Sequence, residues 1–228
     1  MSAGPEDRQP VPEADRRIAA PYSPPAPGRS SPNGRLAMFG GSAGALPVLE
    51  RLLARLSGRL DIPLAVVMHT ALRDQSGSAL RLSGRFGLPV MEAEAGMRLE
   101  PGRVYLAPAH YHLLIEKDSS IALSVDARVS YARPSIDVAF DSAAFALREA
   151  VIGLLVSGSN DDGAQGLARI YQYGGAALVQ SPEEAASPKM PAAGLKACPG
   201  AHCAGIDALA DQLIRLSRNR NQTGGPDA

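Results

Sequence analysis

Residues 36–69 read LAMFGGSAGALPVLERLLARLSGRLDIPLAVVMH, and this stretch decides the fold class. Residues 36–39 form an apolar run that predicts a short buried strand ending at two glycines. In the next segment, leucines at positions 46, 49, 53 and 56 fall on one helical face. Residues 64–69 are again almost continuously apolar, which is typical of a strand buried on both faces of a parallel sheet. The order strand, helix, strand indicates a βαβ unit.

The same alternation continues along the chain. Further strands are predicted at residues 90–93, 104–107, 151–157 and 176–180, and further helices at 76–86, 136–147 and 164–173, with Ser135 as a cap. Residues 117–120 separate two strand candidates at 112–116 and 121–125 and predict an antiparallel hairpin, which would make the sheet mixed. The chain is therefore predicted to be an α/β domain with a doubly wound, mostly parallel, Rossmann-like sheet and an antiparallel hairpin.

Composition sets the domain organisation. The chain has 228 residues, of which 45% are hydrophobic, and this suits one α/β domain with tails. Residues 1–34 are rich in proline and predict a disordered arm, whereas residues 35–218 carry the alternating pattern. Residues 219–228 predict a disordered tail.

Charge and cysteine content exclude several classes of partner and site. Basic and acidic residues number 23 each, so the chain has no general attraction to nucleic acid or anionic lipid. No apolar run is long enough for a secretory signal or a membrane span, which favours a cytoplasmic location without membrane insertion. Cys198 and Cys203 are expected to be thiols in a reducing compartment, with a disulfide as the alternative in an oxidising one. With His202 they supply too few ligands for a typical zinc site. We therefore expect neither a metal nor an organic cofactor.

The glycine-rich turn after the first strand has two interpretations. In open α/β sheets, ligands bind beyond the carboxyl ends of the strands. Residues 40–44 read GGSAG, which fits the G-x-S-x-G turn that exposes a nucleophilic serine, here Ser42. The alternative is a phosphate-binding turn of a nucleotide-binding domain, although GxGxxG and GxxxxGK[ST] are both absent. Ser42 as a simple helix cap is a further alternative.

Two other predicted strand ends carry residues that complement a nucleophile. His69 ends the second strand and is placed to act as general base, unless it is only a hydrogen-bonded core histidine. Asp161 and Asp162 follow the strand at 151–157, where a carboxylate could hold the imidazole in one tautomer. Both could instead be ordinary turn residues. The order Ser, His, Asp differs from the Ser, Asp, His order of α/β-hydrolases.

Five ordered motifs carry a resemblance to a known family. They are GGSAG at 40–44, the strand ending in His69, PGRVYLAP at 101–108, RPSIDV at 133–138 and SGSNDDGAQG at 157–166. Over residues 36–194 the chain resembles the catalytic domain of the CheB-type chemotaxis protein-glutamate methylesterases. Residues 1–34 are too few for the receiver domain that usually precedes this domain in the family. The resemblance therefore implies a stand-alone catalytic domain that is not regulated in cis by a receiver.

This resemblance implies a function and a set of site residues. Family members remove methyl groups from glutamate side chains of chemoreceptors, and some deamidate glutamines there. The implied nucleophile is Ser42, the base is His69 and the orienting acid is Asp162 rather than Asp161. The backbone N–H of Ser159 is the implied oxyanion donor, and the implied partner is a chemoreceptor or another methylated signalling protein.

Several residues around this set depart from the family pattern. Ala43 replaces Thr, Met68 replaces Gln, Thr70 and Ala71 replace Met-Pro, and Asn160 replaces the second Gly of Gly-Met-Gly. A weak or inactive module that binds a signalling partner is therefore an alternative to an active esterase.

Overall fold

The computed structural model describes residues 34–69 and 75–218 and contains one large sheet, one hairpin, six α-helices and a short 3₁₀ helix at Arg148–Ala150 within them. The strands of the large sheet are β1 (Leu36–Gly41), β2 (Leu64–Met68), β3 (Val90–Glu92), β4 (Val104–Leu106), β7 (Val151–Leu155), β8 (Ala176–Gln180) and β9 (His202–Ala204). The hairpin consists of β5 (His112–Ile115) and β6 (Ile121–Ser124). The helices are α1 (Ala45–Leu56), α2 (Gln75–Phe86), α3 (Ile136–Leu147), α4 (Ala164–Gln172), α5 (Lys189–Ala197) and α6 (Ile206–Arg218).

The seven strands of the large sheet lie in the order β3-β4-β2-β1-β7-β8-β9, and all of their pairings are parallel. Apolar side chains of α1, α2 and α6 pack on one face, and those of α3, α4 and α5 pack on the other. Strands β1, β2 and β7 are buried along their whole length, as expected for central strands covered on both faces. The doubly wound α/β prediction is confirmed.

The antiparallel hairpin is also confirmed, but the expectation of a mixed sheet is wrong. Strands β5 and β6 pair only with each other and form a second, two-stranded sheet. After β4 the chain passes Pro108 and a turn at His110, which has a φ of 68°. The hairpin then lies against α3, where the backbone N–H of Ile115 donates to Ser142 Oγ over 3.1 Å. It therefore adds to the layer on one face of the large sheet.

The strand order reverses at β1. After β1 the chain forms β2 beside it, then β3 at the edge and β4 between β3 and β2, and it returns to the other side of β1 with β7, β8 and β9. Ligands of open α/β sheets bind at such a switch point, beyond the carboxyl ends of the strands. Here those ends belong to β1, β2 and β7.

The predicted arm and tail lie, apart from Gly34, outside the described residues, so the domain limits at 34/35 and 218/219 stay predictions. Within the described residues the longest helix has 13 residues, and none has the length and hydropathy that a bilayer span requires.

Candidate active site

Ser42 follows β1 directly and lies in a tight turn between β1 and α1. Its backbone N–H donates to Ser157 O over 2.9 Å, and its carbonyl accepts from Ala45 N–H over 3.0 Å. The N-cap of α1 is Gly44, whose φ of 77° a residue with a Cβ rarely adopts. Ser42 is thus not the helix cap, and the turn keeps it at the edge of the sheet, where its exposed fraction is 8%.

His69 directly follows β2, the strand next to β1, and lies level with Ser42 at the carboxyl ends of the two strands. Gly41 pairs with Met68 in the β1–β2 register, so Ser42 and His69 are the next residues on two adjacent parallel strands. The backbone N–H of His69 donates to Gly41 O over 3.3 Å, which extends the pairing by one step. Two residues 27 positions apart in the chain are therefore brought side by side by the sheet.

Asp162 closes the cluster from the loop that follows β7. Its Oδ2 lies 2.6 Å from His69 Nε2, and its side chain is fully buried while that of His69 is 12% exposed. Asp161, by contrast, is exposed, and its backbone carbonyl accepts from Ala164 N–H in the turn. Of the two neighbouring carboxylates, only Asp162 contacts the imidazole.

The beginning of α3 supplies the other donors to Asp162. Its Oδ2 accepts from Ile136 N–H over 2.7 Å, and its Oδ1 accepts from Asp137 N–H over 3.0 Å and from Ser135 Oγ over 2.8 Å. Burial alone would raise the pKa of Asp162, but the hydrogen bonds from His69, the two backbone amides and Ser135 outweigh it and lower this pKa. The helix N-terminus thus stabilises a buried anion.

Asp137 is a second carboxylate beside this anion. Its Oδ1 accepts from Gly166 N–H over 2.7 Å. Burial, together with the neighbouring charge of Asp162, raises the pKa of Asp137 to about 6. The two carboxyls titrate as an interacting pair, in which Asp162 keeps its charge and Asp137 takes up the proton first.

Ser135 connects the carboxylate to the helix and to a buried histidine. Its side chain accepts from Val138 N–H, which confirms it as the N-cap of α3, while the same hydroxyl donates to Asp162. Its backbone N–H donates to His112 Nδ1 over 3.2 Å, and His112 Nε2 therefore carries the proton and donates to Ala127 O over 3.1 Å. His112 has a structural position beneath the site.

Asn160 and Ser159 lie in the loop between β7 and Asp162. Asn160 Nδ2 is 3.3 Å from His69 Nδ1, and Asn160 Oδ1 accepts from Asp162 N–H over 3.3 Å. Ser159 is exposed, and within the described part of the chain its backbone N–H has no hydrogen-bond acceptor. An unpaired main-chain donor next to the cluster is the kind of group that stabilises an oxyanion.

The comparison with family models decides the family. The model described as CheB methylesterase matches residues 37–213. The chain belongs to the CheB methylesterase family.

Individual members agree with this assignment. The chain is 36% identical over 182 residues to a relative from Leptospira interrogans that is named for protein-glutamate methylesterase and protein-glutamine glutaminase activity, and the match covers 80% of this chain and 94% of that protein. It is 38% identical over 198 residues to protein-glutamate methylesterase/protein-glutamine glutaminase 3 of Anaeromyxobacter dehalogenans, covering 86% of this chain and 57% of that protein. The crystal structure of the Thermotoga maritima CheB methylesterase catalytic domain superposes with a TM-score of 0.76 at 26% identity, over 81% of this chain and 99% of that domain.

Membership of the CheB methylesterase family does not favour the nucleotide-binding alternative, and neither does the packing of the glycine turn. A Cβ on Gly40 would lie 2.4 Å from Ile136 Cγ2, and one on Gly44 would lie 2.7 Å from Ala186 Cβ. These glycines are therefore needed because protein atoms pack closely against the turn. Among the residues that the structure describes, no group of three or more His, Cys, Asp or Glu side chains could hold a metal ion.

The sequence analysis missed several contacts of this CheB-type site. It identified Ser135 only as a cap, and it gave no role to Asp137. Asn160, named there only as a departure from the family pattern, is not among the described residues with positive φ, and its side chain contacts His69. The family motif RPSIDV was the available signal for Ser135 and Asp137.

Proposed function

We propose that this protein is a serine hydrolase that removes methyl esters from glutamate side chains of chemoreceptors or related methylated signalling proteins. In this proposal Ser42 is the nucleophile, His69 the general base and Asp162 the acid that orients the imidazole. The observation that carries it is the 2.6 Å bond from the buried Asp162 carboxylate to His69, at the switch point where His69 stands beside Ser42. A cytoplasmic location remains a prediction that accompanies this substrate.

The direction of the His69 ring supports a different task for each of its nitrogens. Nε2 carries the proton that Asp162 accepts, so Nδ1 has the lone pair. In the first step Ser42 Oγ attacks the ester carbonyl carbon and its proton passes to Nδ1. The negative charge moves to the carbonyl oxygen, where the Ser159 N–H can donate to it.

The tetrahedral intermediate then collapses. The bond from carbon to the methoxy oxygen breaks, and His69 returns its proton so that methanol leaves. Water next attacks the acyl-enzyme, and His69 accepts a proton from it. The bond from carbon to Ser42 Oγ then breaks, His69 returns the proton to Ser42, and the glutamic acid product loses its own proton to solvent as a free carboxylate. Because the same acyl chemistry applies to a primary amide, a glutamine side chain would yield glutamate and ammonia. The names of the relatives support testing this second substrate.

The test uses the full chain and methylated chemoreceptor fragments, with methanol as the measured product. Ser42→Ala should reduce methanol release at least about a thousandfold, because it removes the nucleophile of a cooperating set. The matched control is Ser217→Ala, since the Ser217 hydroxyl donates only to Ile214 O in α6. Near-normal turnover by Ser42→Ala would contradict the proposal. Binding of the fragments by wild-type protein without methanol release would favour an inactive module.

The same experiment addresses deamidation. Fragments that carry glutamine at the modified positions replace the methylated ones, and ammonia is measured. We expect ammonia release from the wild type and its loss in Ser42→Ala, since both reactions use one acyl-enzyme. Methanol release without ammonia release would restrict the proposal to the esterase reaction.

A further inference from the structure

The side chain of Asn160 contacts the imidazole at the nitrogen that the proposed mechanism needs. Its Nδ2 lies 3.3 Å from His69 Nδ1, whereas Asp162 occupies Nε2 on the other side of the ring. Both ring nitrogens of His69 thus have protein partners, and one of them is an amide donor.

The orientation of this amide is determined by its other end. Asn160 Oδ1 accepts the backbone N–H of Asp162, and a backbone N–H can only donate. A reversed amide would place two N–H groups against each other at Asp162. Oδ1 therefore faces the backbone, and Nδ2 faces His69 and donates to its lone pair.

This contact suits the neutral imidazole and opposes the charged one. When His69 Nδ1 accepts a proton from Ser42, the new N–H points towards a group that is also a donor. The amide cannot reverse without leaving Asp162 N–H unpaired. His69 or Asn160 must therefore break a hydrogen bond whenever the base takes up a proton.

We infer that Asn160 is a positioning residue that holds His69 in its resting orientation and slows proton transfer to Nδ1, so that removal of its amide makes the enzyme faster. This inference rests on the proposed function. The restraint acts on the chemical step and not on substrate contacts. It should therefore appear in kcat and leave KM nearly unchanged.

The test compares wild type with Asn160→Ala, using a small activated ester as substrate. We expect kcat to rise roughly fivefold, which corresponds to one ordinary neutral hydrogen bond, with KM within about twofold. Asn160→Gly is a second variant in case the alanine form folds poorly. Asp161→Ala is the matched control, because it truncates the neighbouring exposed side chain, which does not contact His69.

A spectroscopic readout separates restraint of the base from a general loosening of the loop. With ¹⁵N-labelled histidine, the Nδ1 resonance of the neutral His69 ring reports a hydrogen bond donated to it. It is assigned by its absence in His69→Gln. We expect this resonance to move downfield in Asn160→Ala and to stay in place in Asp161→Ala.

Two results would overturn the inference. One is a kcat of both Asn160 variants at or below that of the wild type, and the other is an unmoved Nδ1 resonance. Failure of the proposed function looks different: Ser42→Ala would retain turnover, or no variant would hydrolyse the ester. In that case the inference about the base falls with it.

Discussion

Replacing Asp162 with asparagine tests the side chain that accepts hydrogen bonds from His69 and from the beginning of α3. The carboxylate accepts four hydrogen bonds, two at each oxygen, from His69, Ser135 and two backbone amides at the beginning of α3. Asparagine has one acceptor oxygen and an NH₂ group. Ile136 N–H and Asp137 N–H bind different oxygens of the carboxylate, so one of them faces NH₂ in either orientation of the amide.

The stability cost of Asp162→Asn follows from this count. A buried N–H left without an acceptor costs about 1–3 kcal/mol. The loss of a negative charge beside Asp137 offsets part of that cost, since the two carboxyls repel each other. We therefore expect the free energy of unfolding to fall by no more than about 3 kcal/mol, against a typical total of about 5–15 kcal/mol. The variant should stay folded and remain measurable.

The cost in activity should be much larger, because the tautomer of His69 depends on Asp162. In the amide orientation that keeps an oxygen for Asp137 N–H and Ser135 Oγ, the NH₂ group lies opposite Nε2. It then favours the ring form that accepts at Nε2 and carries its proton on Nδ1. That form has no lone pair for the proton of Ser42. A tautomer change of this kind reduces kcat by about 10⁴-fold in a serine protease triad.

The assay measures methanol release and urea unfolding for Asp162→Asn and Asp161→Asn in parallel. Asp161 is exposed and does not contact the imidazole, so its variant should keep activity within about twofold and unfold like the wild type. The reasoning would be refuted if Asp162→Asn kept more than a tenth of wild-type turnover. Equal losses for the two variants would refute it as well, because the pair would then be only a turn.

Two further predictions concern stability. Asp137 has its pKa raised from 3.8 to about 6, so its contribution to stability is present below pH 3.8 and is lost as the pH rises through 6. In urea unfolding, the free energy of unfolding of Asp137→Asn relative to that of the wild type should increase by about 1–3 kcal/mol from pH 4 to pH 7. A difference that is the same at both pH values would contradict this. Deletion of residues 1–34 should leave the melting temperature nearly unchanged and the esterase activity within about twofold of the full chain, because the proline-rich composition predicts no core there. A truncated protein that unfolds, or one that is much faster, would contradict this prediction.

The central part of the fold could be predicted because its signals are local. Strands β1, β2, β7 and β8 are short apolar runs, and the helices between them have apolar stripes, so alternation alone predicted the doubly wound sheet. Helix α6 has an equally clear pattern, with Ile206, Leu209, Ala210, Leu213 and Ile214 buried on one face. That helix was therefore predictable from the sequence as well.

Other elements have weak local signals. Helix α5 contains Pro191 and Gly194, both of which lower helix propensity, and it forms because its buried residues pack against the sheet. Strand β9 has three residues, of which none is buried, at the edge of the sheet. The packing partner of the hairpin was also not predictable, since the apolar residues of its two short strands do not reveal whether a further strand or a helix will cover them.

The candidate site divides in the same way between local and long-range determinants. Ser135 is recognisable as an N-cap because the cap forms within four residues of the chain. Its second hydrogen bond joins it to Asp162, 27 residues away, and depends on how α3 lies across the end of β7. The hydroxyl that begins the helix also stabilises the buried charge that orients His69. The sequence shows the first of these roles, and the second exists only once the sheet has brought α3 and the loop after β7 together.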